Sequence, residues 1–229
     1  MTTSQLPIPL AVNPRFDFNS FRTGDNAELV AALKTSARLP GGPGLWLWGE
    51  AGSGRSHLLQ ALCQEATAQQ HSSIYLPLAQ LAAQPEVIDS LEGGVIALDD
   101  VEQWLGDIRL ESALMALYQR QLARAGVLVV AADRSATGID FALADLASRL
   151  RALPAFRIAP LGDTDLVAVL KAAAHQRGLK LNKATADFWI TRSRRSLPAL
   201  LAELDELDRM ALAAQRRLSI PLLKAVLKL

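Results

Sequence analysis

The stretch "LWLWGEAGSGRSHLLQAL", residues 45–62, predicts a short strand, a glycine-rich turn and a helix in direct succession. Its central part, "GEAGSGRS" at 49–56, fits the phosphate-loop pattern G-x-x-x-x-G-K-[ST] except at one position. The backbone N–H groups of such a turn, together with the start of the following helix, bind phosphate oxygens. The predicted nucleotide-binding residues of this stretch are Gly49, Gly52, Ser53, Gly54, Arg55, Ser56 and His57.

Arg55 is the departure, because the pattern has lysine there. Arginine keeps the positive charge, but its guanidinium is planar and bulkier than the compact lysine ammonium. The sequence therefore leaves open two interpretations, a nucleotide hydrolase and a protein that holds a nucleotide while its work is done elsewhere. Arg55 favours the second, with weak ATPase activity at most.

Composition excludes several classes of protein. The 229 residues are half hydrophobic and carry 24 Lys and Arg against 23 Asp and Glu, a net charge of +1, which argues against a bulk electrostatic grip on nucleic acid. Cys63 is the single cysteine, so a reducing compartment is the simplest interpretation. With no apolar run of about 18 residues, the sequence predicts a soluble cytoplasmic protein and no membrane partner.

Acidic residues follow two further predicted strands. In "VIALDDVEQW" at 95–104, Asp99 and Asp100 end an apolar strand, and in open parallel sheets ligands bind beyond the carboxyl ends of the strands. Asp99 is the predicted partner of Ser56 for Mg²⁺, and Asp100 is the candidate to orient a water molecule. Asp133, after "VLVVAA", is the candidate sensor of a terminal phosphate.

The alternation of strands and helices predicts an α/β fold, a parallel sheet with helices on both faces, followed by a small all-helical lid domain. The expected domains are a flexible tail at 1–15, a nucleotide-binding domain at 16–160 and the lid at 161–229. We expect Leu114, Leu117, Tyr118 and Leu122 on one apolar helix face. The first lid helix is expected to begin with an aspartate cap at Asp163.

The order of these elements resembles the AAA+ ATPase family, and within it the branch of the bacterial replication initiator DnaA. "FDFNSFRTGDNAEL" at 16–29 is similar to the initiator segment that encloses adenine, which implies this role for Phe18, Phe21 and Asn26. "DLASRL" at 145–150 resembles a box whose arginine reaches into a neighbour's nucleotide site. The resemblance therefore implies that Arg149 is a catalytic arginine finger in trans. From the residues alone, an ion pair with Asp145, one helical turn earlier, is the favoured explanation of Arg149.

The N-terminal "QLPIPL" at 5–10 looks like the clamp-binding motif of the DnaA-related family of regulatory inactivators, with Gln5, Leu6, Ile8, Pro9 and Leu10 at the motif positions. This resemblance implies a protein that binds ADP or ATP with Mg²⁺ and the DNA-loaded sliding clamp, the polymerase β subunit. Its target would be the ATP form of DnaA. It would promote hydrolysis of the ATP bound to DnaA, so that replication does not restart. DNA would be reached indirectly, through the clamp.

The sequence leaves alternatives. One is a helper or loader AAA+ ATPase with its own DNA-stimulated hydrolysis, and another is a non-catalytic adaptor between clamp and DnaA. The family's lid arginine falls here on Pro198, with Arg194 or Arg195 one turn earlier as substitutes. The resident nucleotide, direct contact with DNA and the oligomeric state, including a homodimer that hides the tail, are open at this point.

Overall fold

Five parallel strands form one sheet. They are β1 (Leu45–Trp48), β2 (Ser73–Pro77), β3 (Val95–Asp99), β4 (Val127–Ala132) and β5 (Ala155–Arg157). Their order in the sheet is β2-β3-β4-β1-β5, and every neighbouring pair is parallel. All residues of β3 and β4 are buried, as expected for central strands covered on both faces. The predicted parallel sheet is confirmed.

This computed structural model describes residues 13, 16–38, 41–42, 44–81, 83–193, 196–214 and 218–227. The chain divides into two compact units, Met1–Ile158 and Ala159–Leu229. No helix in the described part of the chain is long and apolar enough to cross a membrane.

Four helices cover the sheet in the first unit: α1 (Ala27–Arg38), α2 (Arg55–Ala68), α3 (Ile108–Ala123) and α4 (Ala144–Arg151). Successive strand residues point to opposite faces, and they sort into two cores accordingly. Leu47 and Val129 pack with α1 and α2, whereas Trp46 and Val130 pack with α3 and α4. Helices therefore lie on both faces, as predicted.

The strand order places the candidate site. Because β3, β4 and β1 are neighbours, their carboxyl ends meet at one edge of the sheet. The phosphate loop leaves β1 there, Asp99 and Asp100 end β3, and Asp133 follows β4.

The apolar face expected on α3 is wrong at one position. Leu114 and Leu117 are buried, but the Leu122 side chain is 69% exposed. Gln121 takes the inward position in the last turn, because its side-chain amide donates to the carbonyl oxygens of Gly93 and Val127, each at 3.4 Å. Leu122, one residue later, is rotated about 100° away from that inward direction and faces solvent.

The regular secondary structure described in the second unit is all helical, with α5 (Asp163–Gln176), α6 (Lys183–Ile190), α7 (Leu197–Ala214) and α8 (Ile220–Leu227). Its core centres on the buried Trp189, whose indole N–H donates to Glu203 Oε2 at 2.6 Å. The cap expected at Asp163 is wrong by one residue, since Gly162 is the capping residue and Asp163 is the first of the helix. The Asp163 carboxylate still interacts favourably with the positive N-terminal end of the helix dipole.

Candidate nucleotide-binding site

The loop between β1 and α2 has the shape of an anion cradle. Gly54, which precedes α2, has φ of 103°, and a Cβ there would lie 2.8 Å from the Phe21 ring, so only glycine fits. A Cβ on Gly49 would lie 2.7 Å from Ser53 Oγ. The helix starts without a side-chain cap, and Ser53 Oγ is buried with no hydrogen-bond partner among the described residues. These features fit a phosphate group, which would take such donors.

Arg55, the first residue of α2, is tied to two carboxylates. Its guanidinium lies 3.2 Å from Asp100 Oδ1 and 3.5 Å from Glu102 Oε1, and its side chain is only 12% exposed. Asp100 follows β3 in a left-handed conformation, with φ of 53°, and Glu102 lies on the short 3-10 turn Val101–Gln103. The positive charge at the lysine position of the loop is therefore already paired within the protein.

The electrostatics of this cluster follow from burial. Burial raises the pKa of Asp100, and repulsion from Asp99 raises it further, while Arg55 acts in the opposite direction. Burial also raises the pKa of Glu102. Asp133 differs, because hydrogen bonds from Arg134 at 2.8 and 2.7 Å lower the pKa of its carboxyl. Arg55 and Arg134 therefore stabilise the charged carboxylates at this end of the sheet.

Asp99, the predicted Mg²⁺ ligand, is 1% exposed and engaged on both oxygens. The Tyr75 hydroxyl donates to Oδ2 at 2.9 Å, and the Asp100 N–H donates to Oδ1 at 3.1 Å. Burial raises the pKa of Tyr75, and the Asp99 charge adds to this, whereas interactions with Ser56 and Gln60 oppose it. The Tyr75 phenol therefore occupies one oxygen of Asp99, a predicted metal ligand.

The leading segment, which comprises Asn13 and residues 16–26, is held against α2 by a row of polar side chains on that helix. His57 Nε2 donates to the Asp17 carbonyl oxygen at 2.9 Å, and its ring stacks on Phe16 at 4.7 Å between centroids. One and two turns later, Gln60 accepts from the Asn13 N–H at 2.8 Å, and Gln64 donates to the carbonyl oxygens of Asn13 and Phe16. Helix α2 therefore fixes the backbone of this segment beside the loop.

The three residues predicted to enclose adenine take different places. Phe18 is buried in the core beside α1 and α2, and Asn26 is buried directly before α1. Phe21 is half-buried, packs edge-on to His57, and approaches Gly54. Phe21 is thus the member of this group that lies against the phosphate loop, while Phe18 anchors the segment in the core.

Acidification is expected to loosen this attachment, because burial lowers the pKa of His57 below its ordinary 6.5. As the pH falls, the unfolded chain takes up this proton first, so the stability from neutral His57 is full above about pH 6.5 and declines below it. Urea unfolding of the full chain, followed by tryptophan fluorescence, should show a larger loss between about pH 7.5 and about pH 5.5 than the variant His57→Gln, which keeps a donor but does not titrate. Equal losses would contradict this role.

Arg149 lies in the last turn of α4, on the surface of the first unit. Its side chain is 37% exposed, its Nε lies 3.3 Å from Asp145 Oδ1, and its guanidinium carbon is 5.6 Å from the centre of the Tyr118 ring. The ion pair expected from the helical spacing is present. It leaves more than a third of the side chain in solvent.

The clamp-binding residues Gln5, Leu6, Ile8, Pro9 and Leu10 lie outside the described residues, as do Arg194 and Arg195. Pro198 is an exposed residue of the first turn of α7.

Sequence reasoning missed three residues of the site. Tyr75 pairs with Ala97 in the sheet, so it lies diagonally across from Asp99, but this follows only once β2 is known to neighbour β3. Glu102 could have been suspected from the sequence, because it is a further acidic residue two positions after Asp100. Gln60 lies three residues after His57, on the same helix face, a spacing that could have been read from the sequence.

Comparisons with known proteins give a family match for the second unit and similar folds for most of the chain. Residues 163–227 match the family model described as the Hda lid domain. The fold is similar to domain III of the Thermotoga maritima replication initiation protein DnaA, with a TM-score of 0.82 and 16% identity over 95% of this chain and 98% of that chain. AMPPCP-bound DnaA from Aquifex aeolicus gives a TM-score of 0.72 at 18% identity, over 90% of this chain and 69% of that chain.

A further similar structure is the Thermotoga maritima RuvB Holliday junction branch migration motor, with a TM-score of 0.71 and 17% identity over 95% of this chain and 72% of that chain. The shared fold and the lid match point in the same direction. The chain therefore has the fold of these structures, and its residues 163–227 match the lid domain of Hda.

Proposed function

We propose that this chain is a cytoplasmic regulator of replication initiation, which holds an adenine nucleotide itself and promotes hydrolysis of the ATP bound to DnaA. The Hda-type lid and the DnaA-like fold support a DnaA-related regulator. The observation that carries the finer proposal is the contrast between two arginines. Arg55, in the chain's own phosphate loop, is paired with two carboxylates, whereas Arg149 is presented on the surface.

The chain's own nucleotide would be held by the loop 49–56, with Ser56 and Asp99 as the residues for Mg²⁺ and Asp133 towards the terminal phosphate. An adenine nucleotide is supported by the AMPPCP-bound relative of the same fold. Mg²⁺, when bound, would neutralise phosphate charge.

Asp100 and Glu102 hold the Arg55 guanidinium, and the Tyr75 hydroxyl occupies an oxygen of Asp99. Each contact disfavours rapid hydrolysis by this chain, and either ADP or ATP fits this role.

The work on DnaA is assigned to Arg149. In phosphoryl transfer, negative charge on the transferred group and the leaving oxygens is stabilised by fixed positive groups, and a guanidinium supplied by a second molecule is one of them. Arg149 lies on a short helix, is always charged and is partly exposed. Docked against ATP-bound DnaA, it would complete the partner's reaction centre, and Asp100 is not needed for that step.

The tail would bring the two proteins together. "QLPIPL" offers apolar side chains at alternate positions and prolines that restrict the free chain, so less entropy is lost on binding. A segment this short buries little area and binds weakly, but a ring-shaped clamp presents several pockets near the same DNA, which raises the effective concentration. The clamp thus serves as the scaffold, and DNA is contacted through it.

The test is release of phosphate from ATP-bound DnaA mixed with DNA-loaded clamp and either the full chain or a chain lacking residues 1–10. We expect stimulation only with the full chain and the clamp together. Within the full chain, Leu6→Ala changes the motif, and Thr2→Ala, outside the motif, is its matched control. The Thr2→Ala chain should stimulate DnaA normally. Stimulation that is equal without the clamp would contradict the tethering role. Phosphate released by the chain and DNA without DnaA would identify a self-sufficient ATPase instead.

A further inference from the structure

We propose that Tyr118 is a positioning residue that holds the Arg149 guanidinium in the orientation needed for its action on DnaA. This inference rests on the proposed function and deepens it. It follows from the way in which both ends of α4, the helix that carries Arg149, are held in place, the first of them by helix α3.

The start of α4 is fixed by a buried carboxylate of α3. Glu111 is fully buried and accepts hydrogen bonds from the N–H groups of Gly106, Ala142 and Leu143, at 2.7, 2.9 and 2.7 Å. Leu143 is the residue directly before α4. Because three backbone donors converge on one carboxylate, the position of the N-terminus of α4 relative to α3 is rigidly defined.

The end of α4 is fixed as well. Arg151 donates to the carbonyl oxygens of Ala136 and Ile139, both at 3.1 Å, and its guanidinium lies 5.2 Å from the centre of the Phe141 ring. The backbone of this eight-residue helix is therefore held at both ends. What remains free is the conformation of the long Arg149 side chain.

Tyr118 limits that freedom. It lies seven residues after Glu111, two turns along the same face of α3, and is half-buried against the core. Its ring lies beneath the guanidinium at 5.6 Å, within the range of a cation–π interaction. Asp145 attracts the Nε at 3.3 Å, but that atom is buried and makes no hydrogen bond within the described part of the chain. The aromatic face, which does not compete for N–H donors, orients the group and leaves its hydrogen-bonding capacity to a phosphate.

The experiment compares the full chain with Tyr118→Phe, Tyr118→Leu and Arg149→Ala, measuring phosphate release from DnaA at increasing concentrations of each. We expect Tyr118→Leu to lower the maximal stimulated rate about tenfold, because a misplaced catalytic group loses rate steeply, with the half-saturating concentration unchanged. Tyr118→Phe keeps the ring and should retain the rate. In the Arg149→Ala background, Tyr118→Leu should have no further effect.

A second measurement needs no activity. The Nε–H signal of Arg149 in proton–nitrogen NMR spectra should carry a ring-current shift that is present in Tyr118→Phe and lost in Tyr118→Leu. An unaltered signal in Tyr118→Leu, or an unaltered stimulated rate, would overturn the positioning role, as would equal loss in Tyr118→Phe. If Arg149→Ala itself stimulates normally, the proposed function fails and this inference fails with it. If only Tyr118→Leu is normal, the proposed function stands.

Discussion

Replacing Arg149 by alanine should lower the stimulated hydrolysis of DnaA-bound ATP by about 10³- to 10⁵-fold, the range found for guanidinium groups supplied in trans. The fold should be unaffected, since the helical ion pair with Asp145 is worth only about 0.3–0.5 kcal/mol. Single-turnover phosphate release measures the first quantity, and thermal unfolding measures the second. Binding to the clamp should be unchanged, because the proposed clamp motif lies in the tail.

Two further variants make this result specific. Arg149→Lys keeps the charge but loses the planar fork of donors, so it should recover only part of the rate. Arg124→Ala removes another exposed arginine in an ion pair, 3.4 Å from Glu92, and should behave like the unmodified chain. If Arg149→Ala stimulated DnaA normally, the chain would be a tethering adaptor and not a source of a catalytic group.

The second large effect is expected at Arg55 of the phosphate loop, through its partner Glu102. Glu102→Gln should tighten binding of an adenine nucleotide about tenfold or more, because it releases Arg55 from one carboxylate, and a hydrogen bond to a charged group is worth about 1.5–3 kcal/mol. The Glu102 side chain is largely buried, and glutamine keeps its shape. Equilibrium titration with ADP and ATP, with and without Mg²⁺, gives the dissociation constants.

Glu50→Gln, in the phosphate loop itself, is the matched control, since it removes the same charge near this site without contacting Arg55 in the described contacts. A larger gain for Glu102→Gln than for Glu50→Gln would attribute the effect to Arg55. Equal gains would mean that only general repulsion of phosphates had been relieved. The combination Arg55→Ala with Glu102→Gln should abolish the difference.

The sheet could be predicted because its strands are short apolar runs separated by helices, a pattern that a parallel sheet requires. The acidic residues after β3 could also be placed at the ligand edge, since strand ends are visible in the sequence. Arg149 is different. The same residues predict an ion pair with Asp145, and only the family resemblance points to a partner's nucleotide. The structure contains the ion pair and also leaves the side chain exposed.

Contacts that depend on strand order could not be predicted. The hydrogen bond from Tyr75 to Asp99 exists because β2 is the neighbour of β3, which no local pattern reveals. The inward turn of Gln121, which displaces Leu122 into solvent, depends on the carbonyl groups of Gly93 and Val127 arriving beside α3. In both cases a polar side chain is placed by a group distant in sequence, the Asp99 carboxylate for Tyr75 and the Gly93 carbonyl for Gln121, and burial makes these bonds decisive.

The most direct measurement is a cryo-electron microscopy structure of this chain with DNA-loaded clamp and DnaA bound to a non-hydrolysable ATP analogue. We predict that the Arg149 guanidinium lies within about 3 Å of a terminal phosphate oxygen of the DnaA-bound nucleotide, the distance of a charge-assisted hydrogen bond. An assembled complex in which that phosphate is contacted by another group, with Arg149 facing solvent or its own chain, would contradict the account.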